Sequence, residues 1–240
     1  MPFRQRLLNA FLLPSPFDRQ WTPEVLHRAD FICPQAFGRN AYSDKEVGAI
    51  VNTAREKLCH DDIATFEWLK SQKFDPGLPN VLLADMCFGL SDALDKPIFG
   101  QWEVMYEIYL DHPGWYENRK DRLIAIWPPT EGYLATRGLF LEARRIVDEK
   151  LRTLDDEGWW LHDEGWWLPT PLLVAHPEHI QRCFFLGEKV FSTTPAIATL
   201  AVSDGWFDPK SVQWWTRGKW HWLFYELCLA RPHHWLKGWF

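Results

Sequence analysis

The 240-residue sequence predicts an α/β fold, namely a three-layer α/β/α sandwich built on a mainly parallel sheet. Short apolar runs alternate along the chain with segments in which apolar residues recur at helical spacing. The runs are apolar throughout, as is typical of strands that helices cover on both faces. Right-handed crossovers then give a doubly wound, Rossmann-like sheet. Because no linker interrupts the pattern, residues 1–240 are predicted to form one domain, with residues 1–28 as an N-terminal helical extension.

The first elements are predicted from the segment before residue 78. Residues 29–33 predict the first strand. Ser43 and Glu46 have the spacing of a capping box, which marks the start of a helix. The apolar residues that share one face of this helix are Val47, Ile50, Val51, Ala54 and Leu58. Another helical stretch starts at Asp61, and Asp75-Pro76-Gly77 predicts a turn.

Further strands are predicted at residues 81–84, 123–127, 171–174 and 196–202. The strand predicted at residues 81–84 would be the second of the chain and ends at Asp85. Pro128-Pro129 stops the third, and Thr130 is predicted to cap the long helix beyond it. Helical segments separate the strands, and a Trp-rich helix is predicted to close the chain from about Ser211.

Composition and charge exclude some functional classes. The formal net charge is −6 and no long basic run is present, so a nucleic-acid surface is not expected. The five cysteines are scattered and form no C-x-x-C pair, which predicts reduced thiols and a reducing compartment. The apolar residues 7–13 are interrupted by Asn9 and are too few to span a bilayer. With no small-residue cleavage site after them, they predict an amphipathic helix, no transmembrane segment and a cytoplasmic location.

Tryptophan is unusually frequent, with 16 copies. The hexapeptide Asp-Glu-Gly-Trp-Trp-Leu occurs at residues 156–161 and again at 163–168, within a predicted Trp-rich insert at residues 155–169. Paired tryptophans pack in cores, form platforms for bases or sugars, or bind a protein partner or a second copy of the chain. Core packing is the leading interpretation for about half of them, and the repeated Gly-Trp-Trp-Leu favours a lid or contact surface for the remainder.

Ligands of open parallel sheets bind outside the carboxyl ends of the strands. This rule selects the loops at residues 34–40, 85–92, 128–133 and 175–179. The last of these leads through His176 and His179 to Arg182. Imidazoles transfer protons near neutral pH, and a guanidinium binds carboxylate or phosphate with paired hydrogen bonds. His176 and His179 are therefore the catalytic candidates and Arg182 the anion-binding candidate, with ordinary loop polarity and helix capping as the alternative.

Other polar residues in these loops have two interpretations. Asp85 and Glu131 follow predicted strands, where carboxylates can act in acid–base chemistry or orient a ligand. They can equally cap a turn or stabilise the first turn of a helix. The H-P-E-H spacing of His176 and His179 differs from H-E-x-x-H, so no metal site is predicted.

Several short motifs resemble one family. His179 is followed three residues later by Arg182, residues 36–41 follow the first strand, and Glu103 opens a helix. The chain also ends in a segment containing Leu-Lys-Gly-Trp at residues 236–239. In these features, most of residues 25–240 resemble the YdcF/SanA/ElyC family, which has a Rossmann-like fold.

The resemblance implies a small-molecule site to which Gly38, Asn40, Glu103 and Thr130 contribute. It also implies a nucleotide-like ligand such as S-adenosylmethionine, and a link to envelope biogenesis. The sequence departs from the family because residues 130–136 stand where the family carries Ser-x-Asn-Thr-x-Glu-Asn, and only Thr130 is equivalent. Gly38 is also the only glycine in its loop. These departures place the family-type site in question.

Two functions remain open from the sequence. In the first, the domain binds, or acts as an enzyme on, a small metabolite that carries phosphate or carboxylate. In the second, it is a non-catalytic interaction protein that uses a Trp-rich surface. The His/Arg loop favours the first, and the missing Asn-Thr-x-Glu-Asn pattern favours the second.

Overall fold

The computed structural model describes residues 23–43, 46–129, 134–154, 168–199 and 207–236. Within these ranges the chain forms a five-stranded, all-parallel sheet, which confirms the predicted fold class. The strands are β1 (Phe31–Pro34), β2 (Ile98–Gln101), β3 (Leu123–Ile126), β4 (Pro171–Ala175) and β5 (Ala196–Thr199). Their spatial order is β3-β2-β1-β4-β5. The chain therefore builds outward from β1 on one side and returns to its other side at β4, which creates a topological switch point between β1 and β4.

The helices are α1 (Pro23–His27), α2 (Val47–Lys57), α3 (Asp62–Ser71), α4 (Leu78–Leu94), α5 (Trp102–Asp111), α6 (Pro113–Asn118), α7 (Thr136–Leu154), α8 (Pro177–Phe191), α9 (Lys219–Tyr225) and α10 (Arg231–Leu236). A 3₁₀ turn at Trp214–Thr216 precedes α9. A π-helical segment at Glu226–Ala230 joins α9 to α10. The C-terminal helix thus begins at Lys219, later than the predicted Ser211.

Two apolar layers cover the sheet, because alternate side chains of each strand point to opposite faces. Ile32 of β1 and Leu172 of β4 belong to the core on one face, together with residues of α2 to α5. Cys33 and Leu173, each one residue further along, belong to the core on the other face, together with residues of α7 and α8. This is the three-layer arrangement that fully apolar strands predict.

The predicted second strand was wrong. Residues 81–84 lie inside α4, and the strand at this position of the sheet is Ile98–Gln101. Leu83, Ala84 and Cys87 are buried with helical spacing, whereas Asp85 between them is exposed. Pro79 in the first turn of α4 is also compatible with the start of a helix. A short apolar run fits a buried strand and a buried helix equally well, so the run alone could not decide between them.

Two regions singled out in the sequence fall mostly beyond this description. Residues 155–167 of the predicted Trp-rich insert lie outside the described residues, as do residues 1–22 of the N-terminal extension. The part of the extension that is described contains α1.

Pro34, in the central strand of the sheet, restricts the size of the residue beside it on the adjacent strand. Pro34 ends β1 and pairs with Val174 of β4. On the other side of β1, a Cβ atom at Gly100 of β2 would lie 2.3 Å from Cγ of Pro34. This separation is far below van der Waals contact, so position 100 accepts only glycine without movement of the strands.

We expect Gly100→Ala to destabilise the fold by about 1–3 kcal/mol, because the added methyl group overpacks the sheet against the rigid ring of Pro34. Urea unfolding followed by circular dichroism measures this change.

The matched control is Gly89→Ala. Gly89 lies within α4 and has no atom within 4 Å of the position of an added Cβ. Alanine favours a helix over glycine by about 0.5–1 kcal/mol, so this variant should be at least as stable as the parent. Equal stability of the two variants would contradict the close approach of β1 and β2.

Candidate functional site

A cleft of about 190 Å³ opens at the carboxyl ends of β1, β2 and β4. Four parts of the chain line it: the loop after β1, the start of α7, the first turns of α8, and the segment from the 3₁₀ turn to α9. The non-aromatic polar or charged side chains along the cleft, together with His179, are Gln101, Thr136, Arg137, Arg182, Gln213 and Thr216. The cleft thus lies at the switch point of the sheet, where ligands of this fold class bind.

The structure brings together His179 and Arg182 of the predicted site. Nη2 of Arg182 lies 2.9 Å from Nε2 of His179, and Oγ1 of Thr136 lies 3.1 Å from the same nitrogen. A guanidinium has only donors, so Nε2 of His179 must accept this bond. The His179 ring is consequently neutral in this arrangement, with its proton on Nδ1.

Arg182 is also part of a buried ion pair. Its Nη1 lies 2.9 Å from Oε2 of Glu226, and less than a tenth of either side chain is exposed. The guanidinium carbon lies 5.1 Å from the centroid of the Trp222 ring, within cation–π range. Arg182 therefore ties the C-terminal helix to α8, and the Glu226 carboxylate already balances its charge.

His176 has a different position from that of His179. It is the N-cap of α8, where its Nδ1 accepts a hydrogen bond from the backbone N–H of Glu178 at 3.2 Å. Its ring stacks on Phe37, with centroids 3.9 Å apart and planes 8° apart. Among the described residues that line the cleft, His176 does not appear, whereas Phe37 and His179 do. His176 thus supports the wall of the cleft through Phe37.

The loop after β1 owes its shape to Asn80, a fully buried residue near the start of α4. The Asn80 carboxamide accepts from the backbone N–H of Phe37 at 2.8 Å and donates to the carbonyl of Gly38 at 2.7 Å. Gly38 has φ +79°, and a Cβ there would lie 2.7 Å from Oγ1 of Thr216. Gly38 lines the cleft in a conformation and a space that favour glycine.

Asn40 and Glu103 hold loops together beside the cleft. The Asn40 amide donates to Asp75 at 2.9 Å and to Asp208 at 2.8 Å. Glu103 forms a buried ion pair with Arg39, with a distance of 3.4 Å between Oε1 and Nη1. These contacts give both residues a structural role in fixing the loop after β1.

The remaining predicted site residues lie elsewhere. Thr130 and Glu131 fall outside the described residues. Asp85 is exposed on α4. It does not follow a strand, because residues 81–84, which were predicted to be a strand, are helical. Its charge acts instead on Glu107 of α5, whose pKa is raised to about 7 by burial and by the nearby carboxylates of Asp111, Asp75 and Asp85.

Two elements that carry the site, β1 and α8, each contain a buried cysteine. Cys33 at the end of β1 and Cys183 of α8 are fully buried, and burial raises the pKa of each thiol well above its usual value. Both therefore remain protonated near neutral pH and behave as core residues.

Three residues that shape the site were not among those predicted from the sequence: Asn80, Arg137 and Glu226. A signal existed for Asn80, since an asparagine within the apolar run Leu78-Pro79-Asn80-Val81-Leu82 needs hydrogen-bond partners when buried. No comparable signal marked Glu226, which is 44 residues from Arg182.

We expect Glu226→Gln to destabilise the fold by about 3–5 kcal/mol, because it leaves the buried guanidinium of Arg182 without its carboxylate. The control is Glu142→Gln, which removes a carboxylate that pairs with Arg145 on the surface of α7. This change should cost less than about 1 kcal/mol. Chemical unfolding of both variants measures the difference, and equal losses would show that the Arg182–Glu226 pair is not desolvated.

Glu107 gives the stability a pH dependence. Its pKa is about 7 in the folded chain and near 4.5 otherwise, so folding favours the protonated carboxyl. This contribution is fully present below pH 4.5 and is lost as the pH rises to about 7.

We therefore expect Glu107→Gln to be more stable than the parent at pH 8 and to flatten the pH dependence of stability between the two pKa values. Urea unfolding at several pH values from 4.5 to 8 measures the free energy of unfolding of both proteins. Glu117→Gln, at an exposed position on α6, is the control and should leave the profile unchanged. An unaltered profile in the Glu107 variant would contradict the assignment.

Compared with models of protein families, with curated proteins and with solved structures, the chain matches none. The resemblance to the YdcF/SanA/ElyC family therefore stays a prediction from the sequence, and the site rests on its own geometry.

Proposed function

We propose that this domain binds a small anionic metabolite in the cleft at the carboxyl ends of β1, β2 and β4. One observation carries the proposal. Among the described residues that line the cleft there are two arginines, Arg137 and Arg182, and no carboxylate. The chain as a whole has a net charge of −6, so this lining runs against its overall composition. Because Glu226 balances the charge of Arg182, the preference for a negatively charged ligand comes from the guanidinium of Arg137.

The start of α7 adds to this preference. Residues 134–137 line the cleft, and the 19-residue helix α7 begins at Thr136. The first N–H groups of a helix have no intrahelical acceptor, and the helix dipole places partial positive charge there. Thr136 and Arg137 in this turn supply a hydroxyl and a guanidinium, so backbone and side chains favour the same ligand charge.

Arg137 rather than Arg182 is the residue we assign to the anion. The charge of Arg182 is balanced by Glu226 inside the protein. Arg137 is exposed at the rim of the cleft, where its guanidinium is accessible to a ligand. Arg182 instead holds His179 and the wall of the cleft in place.

The opposite wall of the cleft is aromatic. The rings of Trp215 and Tyr225 are stacked, with centroids 4.9 Å apart and planes 17° apart, and Trp222 lies beside them. Gln101 and Gln213 provide carboxamides that can donate and accept hydrogen bonds. A cavity of about 150 Å³ holds benzene, so the cleft has room for one ring. A planar group that carries phosphate or carboxylate, as in nucleotide-like ligands, matches this lining.

The geometry supports binding better than proton transfer. Arg182 donates to Nε2 of His179, so this nitrogen can take up a proton only if that bond breaks. His176 is an N-cap and does not line the described part of the cleft. The cytoplasmic location and the link to envelope biogenesis remain predictions from the sequence alone.

We expect isothermal titration of phosphate, adenosine monophosphate and S-adenosylmethionine to detect binding of at least one of them. Arg137→Ala should weaken that binding by about 10- to 100-fold, since a hydrogen bond to a charged group contributes about 1.5–3 kcal/mol.

The matched control is Arg145→Ala, which removes an exposed arginine from the same helix, away from the cleft. It should bind like the parent protein. Equal affinity of the parent and the Arg137 variant would place the ligand elsewhere, and failure of all three probes to bind the parent would reject the proposed ligand class.

A second candidate function, that of an interaction protein, is favoured by one observation. Large apolar side chains that do not line the cleft are exposed between residues 212 and 236.

A further inference from the structure

Exposed apolar side chains are concentrated at one end of the chain. In the described part, ten large apolar residues are exposed, and seven of them fall between residues 212 and 236. These seven are Val212, Trp214, Trp220, Leu223, Phe224, Leu229 and Leu236. Single exposed apolar residues are ordinary, but a concentrated group of them marks a site of interaction.

The group has the geometry of an amphipathic helix face. Trp220, Leu223 and Phe224 follow the spacing i, i+3, i+4 and are 80%, 41% and 57% exposed. Trp222 on the other side of α9 is buried beside the cleft. The ring of Trp214 lies 6.3 Å from that of Phe224, which extends the exposed face beyond the helix. We call these exposed residues of α9 and Trp214 the outer face.

The outer face belongs to a part of the sequence that is basic, although the protein as a whole is acidic. Residues 210–240 contain five lysines and arginines and a single carboxylate, Glu226. That carboxylate is buried against Arg182, so it does not offset the surface charge. Arg217 and Lys219, which precede Trp220, are both exposed. The exposed apolar residues of α9 thus lie beside exposed positive charges, whereas the whole chain carries −6.

We propose that the outer face is a peripheral membrane-binding site for bilayers that contain anionic phospholipid. Tryptophan and phenylalanine insert at the boundary between headgroups and acyl chains, and lysine and arginine pair with anionic headgroups. Within the described residues, no helix is long and apolar enough to cross a bilayer, so this contact is one in which the helix lies on the surface.

Charge favours this occupant over a second copy of the chain. In a two-fold dimer through the outer face, the same patch of each subunit faces the other, so the positive charges of Arg217 and Lys219 in both subunits would be brought into one interface. An anionic bilayer supplies the opposite charge together with an apolar interior.

The test is co-sedimentation of the full chain with vesicles of phosphatidylcholine, with or without phosphatidylglycerol. We expect binding to the anionic vesicles that weakens with added salt. The double variant Trp220→Ser/Phe224→Ser should bind at least about 10-fold more weakly, since burial of the two rings together contributes more than the ~1.4 kcal/mol that corresponds to a factor of ten. Lys219→Gln should weaken binding by about fivefold, because one basic residue near an anionic surface contributes about 1 kcal/mol.

The matched control is Leu78→Ser/Leu141→Ser, which removes two exposed apolar residues from α4 and α7. This variant should bind vesicles like the parent, and circular dichroism verifies that every variant is folded. No sedimentation with anionic vesicles, or equal sedimentation of the parent and the Trp220/Phe224 variant, would overturn the proposal. A dimer seen by light scattering, which only the Trp220/Phe224 change dissociates, would assign the outer face to a second copy instead.

Discussion

The site depends on one constraint, which is that the loop after β1 carries backbone polar groups into the interior. Such groups need partners when water is excluded. The carboxamide of Asn80 provides them, since it bonds the N–H of Phe37 and the carbonyls of Gly38 and Pro76. With the loop fixed, Phe37 presents its ring to His176 on one side and to Trp222 on the other. Asn80, near the start of α4, thereby fixes the positions of the loop residues that form one wall of the cleft.

A second interaction closes the cleft from the C-terminal side. The Arg182–Glu226 pair joins α8 to the π-helical segment, and the same guanidinium lies over the Trp222 ring. Two charges removed from water are stabilising only when each finds good partners. Here the partners include His179 and the aromatic wall, so one arginine connects the neutral imidazole of the site to the helix that bears the outer face.

The sequence predicted the class of the fold because the central strands are buried on both sides. It predicted β4 and the helix that carries His179 and Arg182 because β4 is an unbroken apolar run followed by residues at helical spacing. It failed at β2, where only two of the four residues of Ile-Phe-Gly-Gln have large apolar side chains, while residues 81–84 are uniformly apolar inside a helix. Composition of a four-residue run does not separate these cases. The ion pair between Arg182 and Glu226 depends on tertiary packing across 44 residues, which local pattern cannot reveal.

The π-helical segment at Glu226–Ala230 has a consequence for how this end of the molecule varies in sequence. A π-helical turn holds one more residue than an α-helical turn, so it is the form that a single-residue insertion takes within a helix. Since one residue corresponds to roughly 100° of rotation, the chain after Ala230 is out of phase with α9. Insertions or deletions here would rotate Arg231–Leu236 about the helix axis while Trp222 and Tyr225 kept their places against the cleft.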